Sequence, residues 1–293
     1  MLTSFKRYSK NVHLFEFNTK KVKIAAMSDL HWDNPKCDWE LLKKHLDYCL
    51  KNEIYIIFPG DFFCLMQGRG DRRGSKDDIR PEHNNARYLD SIVETAVDFF
   101  APYAKIMLLV GYGNHETSVI KYQETDLLRR FVDLFNYKTG AELQIGGYGG
   151  WVIIKLGTHT AVFVKIKYFH GSGGGGVITR GEINLSRALQ FYENFDILLT
   201  GHIHENKATE VVRDTLASVA GSYQQILRPI HLMICGTYKE EYGDGSGGWH
   251  IERGAPPKPI GGRIITLENV RSQKGKKSTF TKHIDSMKFP GNL

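Results

Sequence analysis

Apolar residues in this chain fall into short runs of strand length (KVKIAAM, EIYIIF, AKIMLLV, WVIIKL, AVFVKIKYF, FDILLT), and most break at once into a glycine-rich or polar turn. Runs this short cannot cross a bilayer as a helix, which takes about 20 uninterrupted apolar residues. They suit buried strands instead. Between the early runs lie segments with helical spacing, Trp39–Leu50, Asn85–Ala101 and Tyr122–Phe135, and a later one covers Glu182–Tyr192. The second half changes style. WVIIKLG and HTAVFVKIKYFHG, parted at Gly157 and Thr158, read as a hairpin, and short strands follow around Lys207–Arg213, His231–Cys235 and Arg263–Leu267. Helix and strand alternating early, with strands dominating late, predict an α/β fold: a sheet sandwich with helices outside.

The 293 residues contain no internal repeat and no convincing linker, so a single domain over 1–293 is expected. Within it, 65–84 reads as an exposed insertion of mixed charge, and 206–293 as a strand-rich C-terminal part of the same domain. A hydrophobic content of 41% and a charged content of 24% exclude disordered and collagen-like chains. Cys37, Cys49, Cys64 and Cys235 form no CxxC pair, which argues against a disulfide framework or a thiolate zinc cluster. The first residues carry no apolar signal core, so a reducing cytoplasm is the expected location, with no membrane association. The net charge of +7 permits an anionic substrate or nucleic acid without demanding one.

Five segments carry metal-capable side chains where a strand runs into a loop: Asp29-Leu30-His31, Gly60-Asp61, Gly113-Asn114-His115-Glu116, Phe169-His170-Gly171 and Gly201-His202-Ile203-His204. Loops beyond strand ends are where rigid sheets present function. In extended backbone, residues two apart point the same way, so Asp29 and His31 can face one ion. His202 and His204 can do the same if extended, or serve two neighbouring ions if the segment turns. Imidazole nitrogen with carboxylate oxygen and no thiolate suits Mn, Fe or Zn better than a structural zinc site. Each segment alone has a plainer reading, as a turn, a solvated loop or, for GSGGGG, a flexible stretch; the ordered set is specific.

In that order the motifs SDLH, PGD, GYGNHE, YFHG and TGHIHE resemble those of the calcineurin-like metallophosphoesterases, over roughly Val22–Glu205. The resemblance implies two mixed β-sheets packed as a sandwich, flanked by helices, with two divalent metal ions at one edge. It implies that Asp29, His31 and His204 hold the first ion and Asn114, His170 and His202 the second, with Asp61 bridging. His115 then matches the position that contacts the phosphate and assists the leaving group. Mn²⁺ is the first expectation for the metals, with Fe, Zn or Ni accommodated. The stretch after Asp61, Phe62-Phe63-Cys64, departs from the Gly-Asp-x-x-Asp or Gly-Asp-x-x-His of many members and weakens inference about substrate contacts there.

The expected reaction is hydrolysis of a phosphate ester by metal-bound hydroxide. The net charge, with Arg69, Arg72, Arg73 and Arg80 in the insertion, favours phosphodiesters of nucleotides or nucleic acid, although Asp71, Asp77 and Asp78 interrupt that patch. A phosphomonoesterase acting on phosphoproteins or small phosphates, and a non-catalytic scaffold of the same fold, are the alternatives. Glu116 can orient His115 or a ligating imidazole, or it can be an exposed acid opening a helix.

Overall fold

In a computed structural model, residues 1–65, 78–219, 221–243, 245, 249–252, 254–274 and 277–291 are described. Strand β1 (Leu2–Ser9) pairs with β2 (Val12–Phe17) as a hairpin. Strands β3 (Lys21–Ala26), β4 (Tyr55–Phe58), β5 (Met107–Val110) and β6 (Gln144–Ile145) then run parallel to one another. They are linked through α1 (Trp39–Lys51), α2 (Tyr88–Phe100), and the pair α3 (Asn114–Gln123) and α4 (Leu127–Thr139). There follow β7 (Gly149–Leu156), β8 (Val162–Phe169), α5 (Glu182–Ala188) and β9 (Ile197–Thr200). Two long hairpins close the chain, β10 (Asn206–Val219) with β11 (Ser222–Cys235), and β12 (Arg263–Lys274) with β13 (Lys277–Lys288), with the single turn α6 (Trp249–Glu252) between them.

The strands assemble into two mixed sheets. One has seven strands in the order β1-β2-β7-β8-β9-β11-β10, and the other six in the order β13-β12-β3-β4-β5-β6. In β7 every second residue is buried, from Gly150 to Leu156, as a strand with one face on a core requires. Phe15, Phe17, Val152, Ile154 and Ile166 from the first sheet and Ile24, Ile56 and Ile265 from the second belong to one continuous apolar core. The outer face of the first sheet carries a smaller cluster in which Leu185 and Ala188 of α5 meet Leu198, Leu232 and Ile234.

The helices form where an apolar stripe and a cap coincide. Asp38 accepts from the Leu41 amide to start α1, which buries Leu42, His45, Leu46 and Cys49, spaced to fall on one face. Asp126 caps α4 in the same way through the Arg129 amide, and Gly140, at φ +68°, ends it in the left-handed conformation that favours glycine. Each such N-cap is worth about 0.5–2 kcal/mol.

Parallel pairing has one consequence for function: it aligns carboxyl ends. β3, β4 and β5 all deliver their following loops to the same edge, and the parallel pair β8 and β9 does so from the other sheet. That edge is where ligands bind in open α/β sheets.

Several elements differ from the sequence reading. The basic N-terminus forms the β1–β2 hairpin, and α3 opens at Asn114, so Glu116 does stand in the first turn of a helix, one of its two readings, although it is buried rather than exposed. Helix α5 stops at Ala188, and α4 begins at Leu127 rather than Tyr122. Both C-terminal hairpins run well past their apolar segments. Of the 65–84 insertion, residues 66–77 lie outside the described residues, including Arg69, Arg72 and Arg73. Arg80 is described and buried: its guanidinium lies over the Trp39 ring and pairs with Glu82. All four cysteines are buried free thiols.

Candidate metal centre

The five strand-end loops converge. Asp29, His31 and His204 bring ligand atoms within 4.8 Å of one another, and so do Asp61, His170 and His202. In the first group His204 Nε2 is 3.3 Å from Asp29 Oδ1. In the second, His170 Nε2 is 3.2 Å from Asp61 Oδ2. Asn114 joins the second group, its Oδ1 lying 3.1 Å from His170 Nε2 and 2.8 Å from His202 Nδ1. Asp61 faces both groups, because its Oδ2 is also 3.9 Å from His31 Nε2. Every proposed ligand is therefore at one locus, with Asp61 between two clusters.

The local backbone is not extended, contrary to the simplest reading of Asp-x-His. Asp29, His31, Asp61, His202 and His204 all have positive φ, from +46° to +70°. Such a conformation is uncommon for residues with side chains, and its concentration at one locus marks function. The turn at Gly201–His204 sends His202 to one cluster and His204 to the other, which is the two-ion alternative of the sequence reading. The strained loops are held by their neighbours: the Asp29 amide donates to Gly60 O, the His31 amide to Asp61 O, and the His202 amide to the Asp29 carboxylate. Thr237 Oγ1 and the Tyr238 amide both donate to Asp29 O.

Two buried carboxylates absent from the ligand set pin the loop after β4. Asp33 accepts from the Cys64 and Leu65 amides at 2.5 and 2.8 Å. Glu116 accepts from the Gly113 and Phe63 amides at 2.7 and 2.8 Å. Glu116 thus opens α3 as a capping residue but is buried, and these two bonds go to backbone rather than to an imidazole. Burial, with the Asp61 charge behind it, pushes its carboxyl up to about 8. Asp61 behaves oppositely: although burial opposes ionisation, the charge and hydrogen bond of His170, with His115 behind it, hold it well below the usual carboxylate range.

His115, in the first turn of α3, is buried beside the two clusters. Its Nδ1 donates to Cys64 O, which leaves Nε2 facing the centre, 3.9 Å from Asp61 Oδ2. Its ring lies 4.7 Å from that of His31. Cys64 is close enough to join His31 and His115 as a third potential ligand group, but burial pushes its thiol pKa up and keeps it a neutral thiol.

The residues present fit two divalent cations. Among the described residues neither ring nitrogen of His31 has a hydrogen-bond partner, and both are buried. Burial also lowers the His31 pKa well below 6.5, so the ring is a neutral lone-pair donor. An orphaned buried polar atom costs about 1–3 kcal/mol, which a bound cation relieves. The donor set of imidazoles, carboxylates and one amide oxygen suits Mn, Fe, Zn or Ni.

The C-terminal part adds residues that no sequence motif signalled. Glu241 Oε1 is 2.7 Å from Lys239 Nζ, while its Oε2 lies 4.0 Å from His204 Nδ1 and 3.5 Å from His250 Nδ1. Glu241, His250 and Lys258 line a cleft of about 480 Å³ together with His202, His204 and the run Gly173–Gly176.

The sequence profile of the calcineurin-like phosphoesterases matches residues 22–206. This chain belongs to that family. A solved structure titled "GAP50 the anchor in the inner membrane complex of Plasmodium" is similar at 12% identity and a TM-score of 0.41, over 90% of this chain and 88% of that one. A likeness that distant carries no weight for activity or substrate. No curated protein matches the chain. The family match and the ligand clusters support a metal-dependent phosphoesterase. Among the described residues, no helix is long and apolar enough to cross a membrane.

Proposed function

We propose that this phosphoesterase hydrolyses phosphodiesters of nucleotides or nucleic acid, using two divalent cations, with Mn²⁺ the first candidate. The observation that carries the diester reading is a pair of cavities on either side of the Gly201–Ile203 turn. One is the 480 Å³ cleft over His202 and His204. The other, about 300 Å³, lies behind Gly171 and Gly201. A diester has an organic group on each side of the phosphate and a monoester has only one. The net charge of +7 supports an anionic substrate in the same sense.

When bound, the cations neutralise phosphate oxygens and supply a nucleophile at neutral pH. The chain's own residues do the rest. Asp29, His31 and His204 would hold one ion and Asn114, His170 and His202 the other. Asp61, ionised under its ring of imidazoles, would set the spacing between them. His115 holds its Nδ1 proton on the Cys64 carbonyl, so proton exchange with the departing oxygen falls to Nε2. Asp33 and Glu116 fix the loop that carries that carbonyl.

The test is hydrolysis of paired chromogenic mono- and diesters by metal-stripped protein, with and without Mn²⁺. Mn²⁺-dependent diester cleavage is expected. Preference for the monoester, or no cleavage of either ester by metal-loaded protein, would overturn the reading.

A further inference from the structure

The cavity behind the metal centre has a composition of its own. Its lining includes Phe169, Phe191 and Tyr192 beside Asn184, Arg187 and Thr200. It abuts the site directly, since Gly171 and Gly201 line it and are the chain neighbours of His170 and His202. The Gly201 amide donates to His170 O at 2.8 Å, so the two loops form one thin wall between cavity and ligands.

The glycine run bears on the same point. At Gly174 an added Cβ would meet nothing within 4 Å, and its φ is not in the left-handed region. Neither packing nor backbone conformation therefore requires glycine there. Gly174 lines both this cavity and the cleft over His202 and His204. A side chain at 174 would extend into open space at the residue that both cavities share.

We infer that this cavity is a nucleobase subsite, receiving the base of a nucleotidyl ester whose phosphate lies on the metal centre. Flat apolar walls offer a stacking surface to either face of a base. Thr200 Oγ1 already donates to Met233 O and Asn184 Nδ2 to the Ser172 and Gly174 carbonyls, so the Arg187 guanidinium and the Asn184 Oδ1 are the donor and acceptor left for a base edge, groups that the ring of a phosphotyrosine would leave unused. Tyr192 is already fixed for this task, because Lys167 Nζ lies 4.6 Å from its ring centroid and Phe169 packs beside it. The inference rests on the phosphodiesterase reading for the placement of the phosphate.

The experiment compares the affinities of full-length, Mn²⁺-loaded protein for thymidine 5′-monophosphate and for deoxyribose 5-phosphate, by calorimetry. Wild type is expected to prefer the thymidine ligand at least tenfold. Phe191→Ala, at an exposed position, and Gly174→Leu, which puts a side chain where the two cavities share their lining, should each reduce that preference at least about fivefold, the lower end for losing one base-stacking contact. Equal affinities in wild type, or a preference unmoved by both variants, would overturn the subsite. So would variants that weaken phosphotyrosine binding and leave the thymidine ligand unaffected. In parallel, thymidine 5′-(p-nitrophenyl phosphate) and ethyl p-nitrophenyl phosphate report hydrolysis. Base-dependent binding without cleavage of either ester would keep the subsite and discard the phosphodiesterase reading. Cleavage of both at equal kcat/KM, with no base-dependent binding, would discard the subsite alone.

Discussion

Replacing Gly113 by alanine isolates the geometry on which the centre depends. Gly113 has φ −110° and ψ −172°, a conformation alanine adopts freely, so backbone strain does not enter. Space does. An added Cβ would lie 2.0 Å from Asp61 Oδ1 and 2.3 Å from the Asp61 backbone nitrogen, whereas real Cβ atoms essentially never approach within 3.0 Å. The Asp61 carboxylate must therefore retreat by about 1 Å, and its main chain must move as well. The same oxygen accepts from the His115 amide at 3.0 Å, so the shift also disturbs the start of α3. A misplacement of about 1 Å at a reacting centre costs on the order of 10²-fold in rate, equivalent to about 2.7 kcal/mol of transition-state stabilisation. The assay is kcat/KM for a diester at saturating Mn²⁺, alongside the Mn²⁺ concentration giving half-maximal activity. Both should worsen, with far-UV circular dichroism unchanged. A Gly113→Ala enzyme within threefold of wild type in both measures would refute the placement of Asp61 between the two clusters.

Other expectations follow from individual groups. His115→Gln should keep both metals by elemental analysis and lose about 10²- to 10⁴-fold in turnover; wild-type rates with every ester tested would remove His115 from the reaction. Acid sensitivity should include a contribution from His13, which is fully buried in β2 with no hydrogen-bond partner at either ring nitrogen. Burial, helped by the nearby charge of Arg7, lowers its pKa from 6.5 to about 4. The unfolded chain takes up the proton first, so this contribution to stability is intact above pH 6.5 and is lost as pH falls from 6.5 towards 4. At pH 5 the loss is about 2 kcal/mol. Denaturant unfolding at pH 7 and pH 5 should show His13→Phe losing less stability than wild type by that amount, and equal losses would count against it. Glu116→Gln should lower stability by about 1–3 kcal/mol in thermal unfolding, because an amide cannot accept from both the Gly113 and Phe63 amides.

The ligand loops were legible in the sequence because each follows directly from a strand, so order along the chain maps onto one sheet edge. Asp29, Asp61, Asn114, His170 and His202 follow β3, β4, β5, β8 and β9. What the pattern could not carry was conformation. Nothing in the letters SDLH or GHIH says that the backbone turns left-handed, and that turn decides which cluster His202 and His204 each join. A helix at Glu116 was one of two readings, but the extent of α3 was not legible, because NHETSVIKYQ has almost no apolar stripe and only Val119 of its aliphatic residues is buried. The β1–β2 hairpin was hidden by the basic residues on its exposed strand, and the arms of β10–β13 by polar residues where they leave the core. Asp33, Lys239 and Glu241 are common residue types at no special spacing, and Glu116, though part of the Gly-Asn-His-Glu motif, gave no sign that it binds the Gly113 and Phe63 amides. Only the fold brings them to the loops and imidazoles they support.

The most direct test of the central claim is metal stoichiometry. Purified protein stripped of metal, reloaded with Mn²⁺ and dialysed should retain two ions per chain by elemental analysis, and Asp61→Asn should lose metal and phosphoesterase turnover together. Wild type that holds no ion, or one, under the same treatment would contradict a dinuclear centre built on Asp61.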